Sequence, residues 1–276
     1  MAQNESPETG LRAESIWPDL IRRCRGHPPE DSSGGDTRCP EPADIAAFTD
    51  RGMVAELQAR YAPLIRPAIG MPRVIAQLGQ SLDGRIATPA GHSHYVTGEA
   101  DRAHLHRLRA LCDAVLVGAG TVLADDPRLT VRAVEGPHPT RVVVLSRGHL
   151  PPRRHLFADG VAPTWAVTGP TAVAPPVDRH FPLSAPSPAA ILDCLSAAGI
   201  RRLLVEGGAQ TVSAWLAAGL VDSLYLSVAP IVIGSGPIGL NLPAIEHMDE
   251  ALRPAVEPFD LGADRLYRLD FSAVSG

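Results

Sequence analysis

The stretch from Asp113 to Arg132, DAVLVGAGTVLADDPRLTVR, constrains the fold of this chain more than any other. Ala114 to Val117 form a short apolar run that breaks at Gly118-Ala119-Gly120 and gives way to Thr121, Asp125, Asp126, Pro127 and Arg132. An apolar run without polar alternation suits a strand buried on both faces, as in a parallel sheet covered by helices. Open α/β sheets present their ligand sites at the carboxyl ends of their strands. A buried strand delivering its end into a polar, glycine-lined turn therefore predicts where the chemistry lies.

The same grammar recurs along the chain. Arg73 to Leu78 reads as a first strand, and Gly98 to Leu111 as a helix whose face carries Ala103, Leu105, Leu108 and Leu111. Arg141 to Ser146 and Thr164 to Thr168 are further short strands. Ser187 as N-cap with Pro188 in the first helical position opens a helix that reaches about Ala198 and stops at Gly199. Arg201 to Val205 is a strand running into Glu206-Gly207-Gly208-Ala209-Gln210-Thr211, where a helix with Val212, Trp215 and Leu216 on its apolar side begins. Ser223 to Ile233 holds a strand with a break at Pro230, and Arg265 to Phe271 alternates as a half-exposed strand should. Repeated strand-helix-strand units imply an α/β fold with a mostly parallel sheet covered on both faces, its final two strands antiparallel.

Residues 72–276 form the expected compact domain. Residues 1–71 read as an extension, with an amphipathic helix from Ser15 to Arg25 carrying Ile16, Trp17, Leu20, Ile21 and Cys24 as its stripe. His27 to Pro42 is a Pro-, Gly- and charge-rich linker, and a second helix is expected from Asp44 to about Ala59, before Pro63 and Pro67 interrupt. The net charge of −5 supplies no basic field for nucleic acid, so an anionic ligand must be met by a few placed arginines. The amino terminus lacks a basic and then apolar leader, and no run approaches the roughly 18 to 20 apolar residues of a membrane span. A soluble, cytoplasmic protein is expected. Cys24, Cys39, Cys112 and Cys194 show no C-x-x-C spacing and read as thiols in a reducing compartment. The pairs His92/His94 and His104/His106 have metal-like spacing, but positions i and i+2 of a helix point to different sides, so no metal is expected.

Two glycine-rich strand ends carry the functional signal. At Glu206 to Thr211 a strand passes to a helix through residues small enough for a phosphate to approach the backbone. The helix dipole adds about 0.3 to 1 kcal/mol for an anion there. The alternative is a tight strand-to-helix turn without a ligand. At Gly118-Ala119-Gly120 a dinucleotide fingerprint lacks its third glycine, since Leu123 stands in that place. The following strand ends in Ser146-Arg147, a hydroxyl and a cation suited to a 2′-phosphate, which points to NADP rather than NAD. Arg109 and Arg132, on different elements, could clamp one phosphate or could be solvated surface residues. Asp125-Asp126-Pro127 could supply paired acids or simply open a turn.

Taken in order, Ser81-Leu82-Asp83-Gly84-Arg85-Ile86-Ala87, Leu108-Arg109-Ala110, Gly118 to Pro127, Leu129-Thr130-Val131-Arg132 and Val205-Glu206-Gly207-Gly208 resemble the pyrimidine reductase family of riboflavin biosynthesis. This is the reductase half of the bifunctional deaminase-reductase, and the resemblance covers about Pro72 to Phe271. It implies a dihydrofolate-reductase-like fold, a homodimer, and NADPH-dependent reduction of a ribosylamino-pyrimidine phosphate, 5-amino-6-(5-phosphoribosylamino)uracil, to its ribitylamino form. It further implies that Ser93, Arg109, Leu129, Arg132 and Glu206 contact substrate, the two arginines near its phosphate. Gly79, Tyr95, Thr121, Asp125, Ser146 and the turn of Gly208, Ala209, Gln210, Thr211, Val212, Ser213 and Ala214 are implied to contact NADPH.

Tyr95 stands where bacterial members often carry tryptophan, and Gln77 where many bifunctional members have lysine. In the implied reaction the glycosylamine opens to an imine and hydride adds at C1′ of the sugar, while a proton must reach the ring oxygen; Glu206 and Asp83 are the candidate donors. Residues 1–71 contain neither H-x-E nor P-C-x-x-C, so deamination is not expected. Two other readings fit the same residues: a reductase of this fold acting on another pterin- or pyrimidine-like molecule, and a non-catalytic nucleotide-binding regulator that grips a partner through residues 1–71.

Overall fold

The computed structural model describes residues 13–25, 51–65, 70–93 and 96–271. The chain divides into two compact units, Met1–Pro67 and Ala68–Gly276. In the first, α1 (Ala13–Arg25) and α2 (Arg51–Ile65) pack on each other. Ile16, Leu20 and Cys24, spaced one turn apart, are the buried edge of the stripe expected for α1. The Trp17 and Tyr61 rings lie 6.2 Å apart, and the Cys24 thiol donates to the Leu64 carbonyl. Against expectation, α2 continues through Pro63. A proline so close to a helix end removes one hydrogen bond from the last turn, and burial of Tyr61 and Leu64 around it offsets the loss. The expected linker, 27–42, lies outside the described residues.

The second unit is built on nine strands. Their order across the sheet is β5-β4-β3-β2-β6-β1-β7-β9-β8, where β1 is Arg73–Ser81, β2 Ala114–Gly118, β3 Thr140–Gly148, β4 Thr164–Ala172, β5 Arg179–Pro182, β6 Arg202–Val205, β7 Ser223–Ala229, β8 Ala255–Leu261 and β9 Asp264–Asp270. The seven strands from β5 to β7 are all parallel, and β9 runs antiparallel to both β7 and β8. The α/β class, the mostly parallel sheet and the antiparallel carboxyl-terminal strand are as expected.

Two strands escaped the sequence reading. β5 has four residues and closes one edge. β8 contains Pro258, which an edge strand tolerates because one side of its backbone needs no ladder partner. The segment expected as one strand from Ser223 to Ile233 ends at Ala229. Its Leu224 and Tyr225 are fully buried inside the sheet, so only Ile231 and Val232 remain as exposed apolar surface there.

Alternation along each strand divides the core. On one face Val74, Ala76, Leu78, Leu116, Leu203 and Val205 pack with Ile191, Leu192 and Leu195 of α6 (Pro188–Ala197) and Val212, Trp215 and Leu216 of α7 (Ala209–Ala217). Ser187 caps α6 as expected, its hydroxyl accepting from the Ala190 N–H. On the other face lies α3 (Glu99–Leu111), with His104 5.1 Å from the Tyr225 ring.

β2 leads away toward β3, whereas the adjacent β6 leads past β1 toward β7. Their carboxyl ends therefore send the chain in opposite directions and leave a crevice between them, the position at which open α/β sheets bind ligands.

Candidate active site at the carboxyl edge of the sheet

The two glycine-bearing corners meet at that crevice. β2 does not end in an open turn: Gly118 is directly the N-cap of a short helix, α4 (Ala119–Asp125). In register, Leu116 pairs with Val205, which sets Gly118 beside the Gly207-Gly208 corner. A Cβ at 118 would stand 2.8 Å from Thr211 Oγ1, so any side chain there would have to displace the Thr211 hydroxyl from the corner. Gly207, at φ 134°, lies in the region that disfavours side chains, and the Gly208 N–H donates to Thr121 Oγ1 at 3.1 Å. No side chain caps α7, so the orphan N–H groups of its first turn face a cavity of about 650 Å³. Thr121, Ser146, Arg147, Gly208, Ala209, Gln210, Thr211 and Ala214 line it. These are small residues, three hydroxyls, a carboxamide and a cation, a set that fits an extended dinucleotide.

Val212 and Ser213 do not line it. Val212 is wholly in the core, and the Ser213 hydroxyl accepts from the Asn241 N–H, fixing a neighbouring loop. A helix shows only its first turn and one face to the crevice, which is why part of the expected cofactor turn points inward. Tyr95 lies outside the described residues, as does His94.

A second cavity, of about 360 Å³, opens on the α3 side and shares Thr121, Gly208 and Ile86 with the first. Ser93, Arg109, Leu129 and Glu206, expected at the substrate, line it, together with Gly79 and Asp125, expected at the cofactor. Leu129 sits at φ 53° and is buried, a strained conformation that the surrounding packing must enforce. Gln77 lines the same wall, and so do Thr97 and Asp101, which the sequence reading missed. Asp101, Leu105, Leu108 and Arg109 fall on one helical stripe. A carboxyl on an otherwise core-facing stripe was the signal available.

The arginine pair does not act as expected. Arg109 is not a free phosphate clamp, because its guanidinium is spent inside the protein. Its Nε and one terminal nitrogen each donate to a Glu206 oxygen at 2.7 Å, and the other terminal nitrogen donates to the Thr130 carbonyl at 3.1 Å. Both side chains are 8% exposed. The pair joins α3 to the end of β6 and forms one wall of the second cavity. Both Glu206 oxygens are thereby engaged by Arg109.

Arg132 lines neither cavity. It donates to Thr130 Oγ1 at 2.7 Å, and burial together with the neighbouring Arg109 and Arg128 lowers its pKa. With the Arg109 charge met by Glu206, Arg132 and Arg128 remain as a local cationic field, which an anion would relieve. His106 holds this loop in neutral form. Burial, then Arg109 and Arg132, push its imidazole down to about 4, and its Nδ1 accepts from the Arg132 N–H at 2.8 Å.

Asp83, the other candidate acid, is removed from both cavities. Its carboxylate accepts from the Ser81 hydroxyl and from the N–H groups of Ile233 and Gly234, which hold it down to about 2. It is a staple between the turn after β1 and the loop after β7, and an ionised group with those partners has no proton to give. Asp125 and Asp126 are not a working pair either. Asp126 caps the end of α4 in the left-handed conformation and accepts from the N–H of His155, the first residue of α5 (His155–Ala158), and of the two acids Asp125 lines the cavity.

Comparison with known proteins agrees with this geometry. Residues 72–253 match the family described as the RibD C-terminal domain. The chain is 37% identical over 218 residues to the 2,5-diamino-6-ribosylamino-4(3H)-pyrimidinone 5′-phosphate reductase of Methanothermobacter thermautotrophicus, covering 70% of this chain and 95% of that protein. It is 35% identical over 188 residues to the riboflavin biosynthesis protein RibD of Mycobacterium tuberculosis, 67% of this chain but 50% of that protein, so it spans about half the length of such RibD relatives. Among solved structures, Acinetobacter baumannii RibD superposes with a TM-score of 0.64 at 29% identity, over 79% of this chain and 62% of that one. With the glycine corners, the crevice and the Arg109–Glu206 wall all inside the matched span, the chain belongs to the RibD C-terminal domain family.

Proposed function

We propose that the protein is an NADPH-dependent reductase of riboflavin biosynthesis, converting a ribosylamino-pyrimidine 5′-phosphate to its ribitylamino form. One observation carries this reading: the two cavities meet at Thr121 and Gly208, so a dinucleotide in the larger one brings its reactive end to a sugar held in the smaller one. When bound, the reduced nicotinamide supplies the hydride. The chain supplies position: the first turn of α7 and the Thr121 hydroxyl hold the pyrophosphate end, and the Arg109–Glu206 wall with Leu129 shapes the substrate side. The test is direct. Purified protein is given NADPH with either 5-amino-6-(5-phosphoribosylamino)uracil or its 2,5-diamino-pyrimidinone counterpart, and loss of NADPH absorbance is followed; turnover of neither refutes the reading.

The preference for NADPH over NADH rests on Ser146 and Arg147 at the rim of the larger cavity. A charge-assisted hydrogen bond to a 2′-phosphate contributes about 1.5 to 3 kcal/mol. Arg147→Glu is therefore expected to reduce kcat/KM with NADPH about 10- to 100-fold while leaving kcat/KM with NADH nearly unchanged. Steady-state kinetics with both cofactors check it.

Arg132, with Arg128 beside it, is the proposed anchor of the substrate phosphate. Phosphate contacts are made equally in ground and transition states, so Arg132→Ala should raise KM far more than it lowers kcat. An equal loss in both parameters would count against that role.

We also propose a homodimer. Ile231, Val232, Met248, Leu252 and Val256 expose apolar side chains within one stretch of chain, with Val232 and Met248 each 73% exposed. Scattered exposed hydrophobics are ordinary, but a run of them suits a partner surface, and light scattering gives the mass directly. Among the described residues no helix is long and apolar enough to cross a membrane, and Cys24, Cys112 and Cys194 are thiols, which supports a cytoplasmic setting.

A further inference from the structure

Three carboxyl groups line the smaller cavity: Asp101, Asp125 and Glu206. Glu206 is fully engaged by Arg109, and Asp125 stands at the end of α4 beside Pro127. Asp101 differs from both. It lies in the first turn of α3 at 3% exposure, and its Oδ1 accepts a short hydrogen bond from the Ser227 hydroxyl. The Thr97 hydroxyl bonds to the same carboxyl.

Its Oδ2 lies 3.6 Å from the place a Cβ would occupy on Gly79. Gly79 is also the register partner of Ser227, so the carboxyl is held over the β1–β7 pair where β1 has no side chain. Thr97 fills that gap, its methyl 2.8 Å and its hydroxyl 3.4 Å from the same place, and Gly79, Thr97 and Asp101 together line the cavity.

The surroundings favour the protonated acid. Arg102 lies on the same helix. From β9 comes Asp264, whose carboxylate accepts the Gly98 N–H at 2.6 Å, and from β1 comes Gln77, which is neutral. Across the cavity the Arg109 charge is consumed by Glu206. Burial, with Asp264 adding to it, raises the Asp101 pKa above the usual carboxylate range against the opposing pull of Ser227, Thr97 and Arg102.

We propose that Asp101 is the catalytic residue that protonates the sugar ring oxygen of the substrate, an assignment that rests on the reductase reading above. The C1′–O4′ bond breaks and its electron pair goes to O4′, which takes the Asp101 proton and becomes the 4′-hydroxyl. The glycosylamine nitrogen lone pair forms the C1′=N bond. C1′ then accepts hydride from the reduced cofactor, and the C=N π pair returns to nitrogen. The cofactor is oxidised by two electrons, the sugar carbon is reduced by two, and Asp101 regains its proton from solvent. General acid catalysis of this kind contributes about 100- to 10,000-fold.

The test joins kinetics to a readout that needs no turnover. Asp101→Asn keeps the shape and an acceptor for Ser227 but has no transferable proton. Its kcat/KM should fall about 100- to 10,000-fold, with NADPH affinity by fluorescence titration unchanged. In the wild type, kcat/KM should decline as pH rises through the Asp101 pKa, since the acid form is the active one.

Gln77→Lys places a cation two residues along the strand from Gly79, about 7 Å away and within reach of the carboxyl. It should move that decline to lower pH. Difference infrared spectra of the substrate-free protein should show a protonated-carboxyl band that persists above the ordinary carboxylate range and is missing from Asp101→Asn. If that variant does not fold, the Gln77→Lys shift and the wild-type infrared titration decide alone.

Wild-type rate and pH profile in Asp101→Asn, an unmoved decline in Gln77→Lys, or no such infrared band would overturn the assignment. Wild-type protein that reduces neither pyrimidine overturns instead the reductase reading on which it rests.

Discussion

Arg109→Ala is expected to destabilise the protein by about 3 to 5 kcal/mol, the cost of removing one partner from a buried ion pair. The reason lies in what is left behind. Glu206, 8% exposed with Arg109 in place, would be left at the end of β6 with no cation and with both oxygens stripped of their 2.7 Å donors. The Thr130 carbonyl would lose its donor as well.

Urea unfolding of wild type, Arg109→Ala and the double variant Arg109→Met/Glu206→Leu separates the penalty of a stranded charge from the value of the pair. The double variant should recover most of the stability, because two apolar groups of similar volume leave nothing unsatisfied. It should recover no activity, since the polar wall of the smaller cavity would be gone. Recovery of turnover would mean that the pair serves the scaffold alone.

Gly169→Ala is expected to cost about 3 kcal/mol, the upper end for overpacking, and to weaken NADPH binding at the same time. A Cβ on Gly169 would stand 2.2 Å from the Ser146 carbonyl oxygen and 2.9 Å from its carbon. These are backbone atoms of the neighbouring strand and cannot rotate away as a side chain would. The β3–β4 register already shifts between Leu145 and Arg147, so relief of the clash must come from that irregularity. Its displacement moves Ser146 and Arg147 away from the rim of the larger cavity. Thermal unfolding and fluorescence titration with NADPH measure the two losses. Gly120→Ala is the matched control, since an added Cβ on this helical glycine meets nothing within 4 Å and should leave stability level or slightly raised.

These two sites also show where sequence reading reaches its limit. Gly169 has no motif around it, and its importance comes from a strand met only across the sheet. Arg109 and Glu206 are 97 residues apart, and each can be read alone as a ligand group. Only their meeting shows that they satisfy each other. Asp83 belongs to a motif that resembles a functional one, yet its partners Ile233 and Gly234 lie 150 and 151 residues away and turn it into a staple.

What the sequence determined by itself is local and periodic. Apolar runs of strand length, leucines at helical spacing, Ser187-Pro188 as a helix start, and glycines at the ends of β2 and β6 fix the elements and their order, because backbone sterics and burial act over a few residues. The tertiary structure alone decided which charges pair, which carboxyls come together at one cavity, and how an edge strand containing Pro258 finds β9. The physical reason is that burial and pairing are properties of neighbours distant in the chain. A side chain's charge state and role depend on the dielectric and the hydrogen-bond partners that folding brings to it, and no local pattern records those.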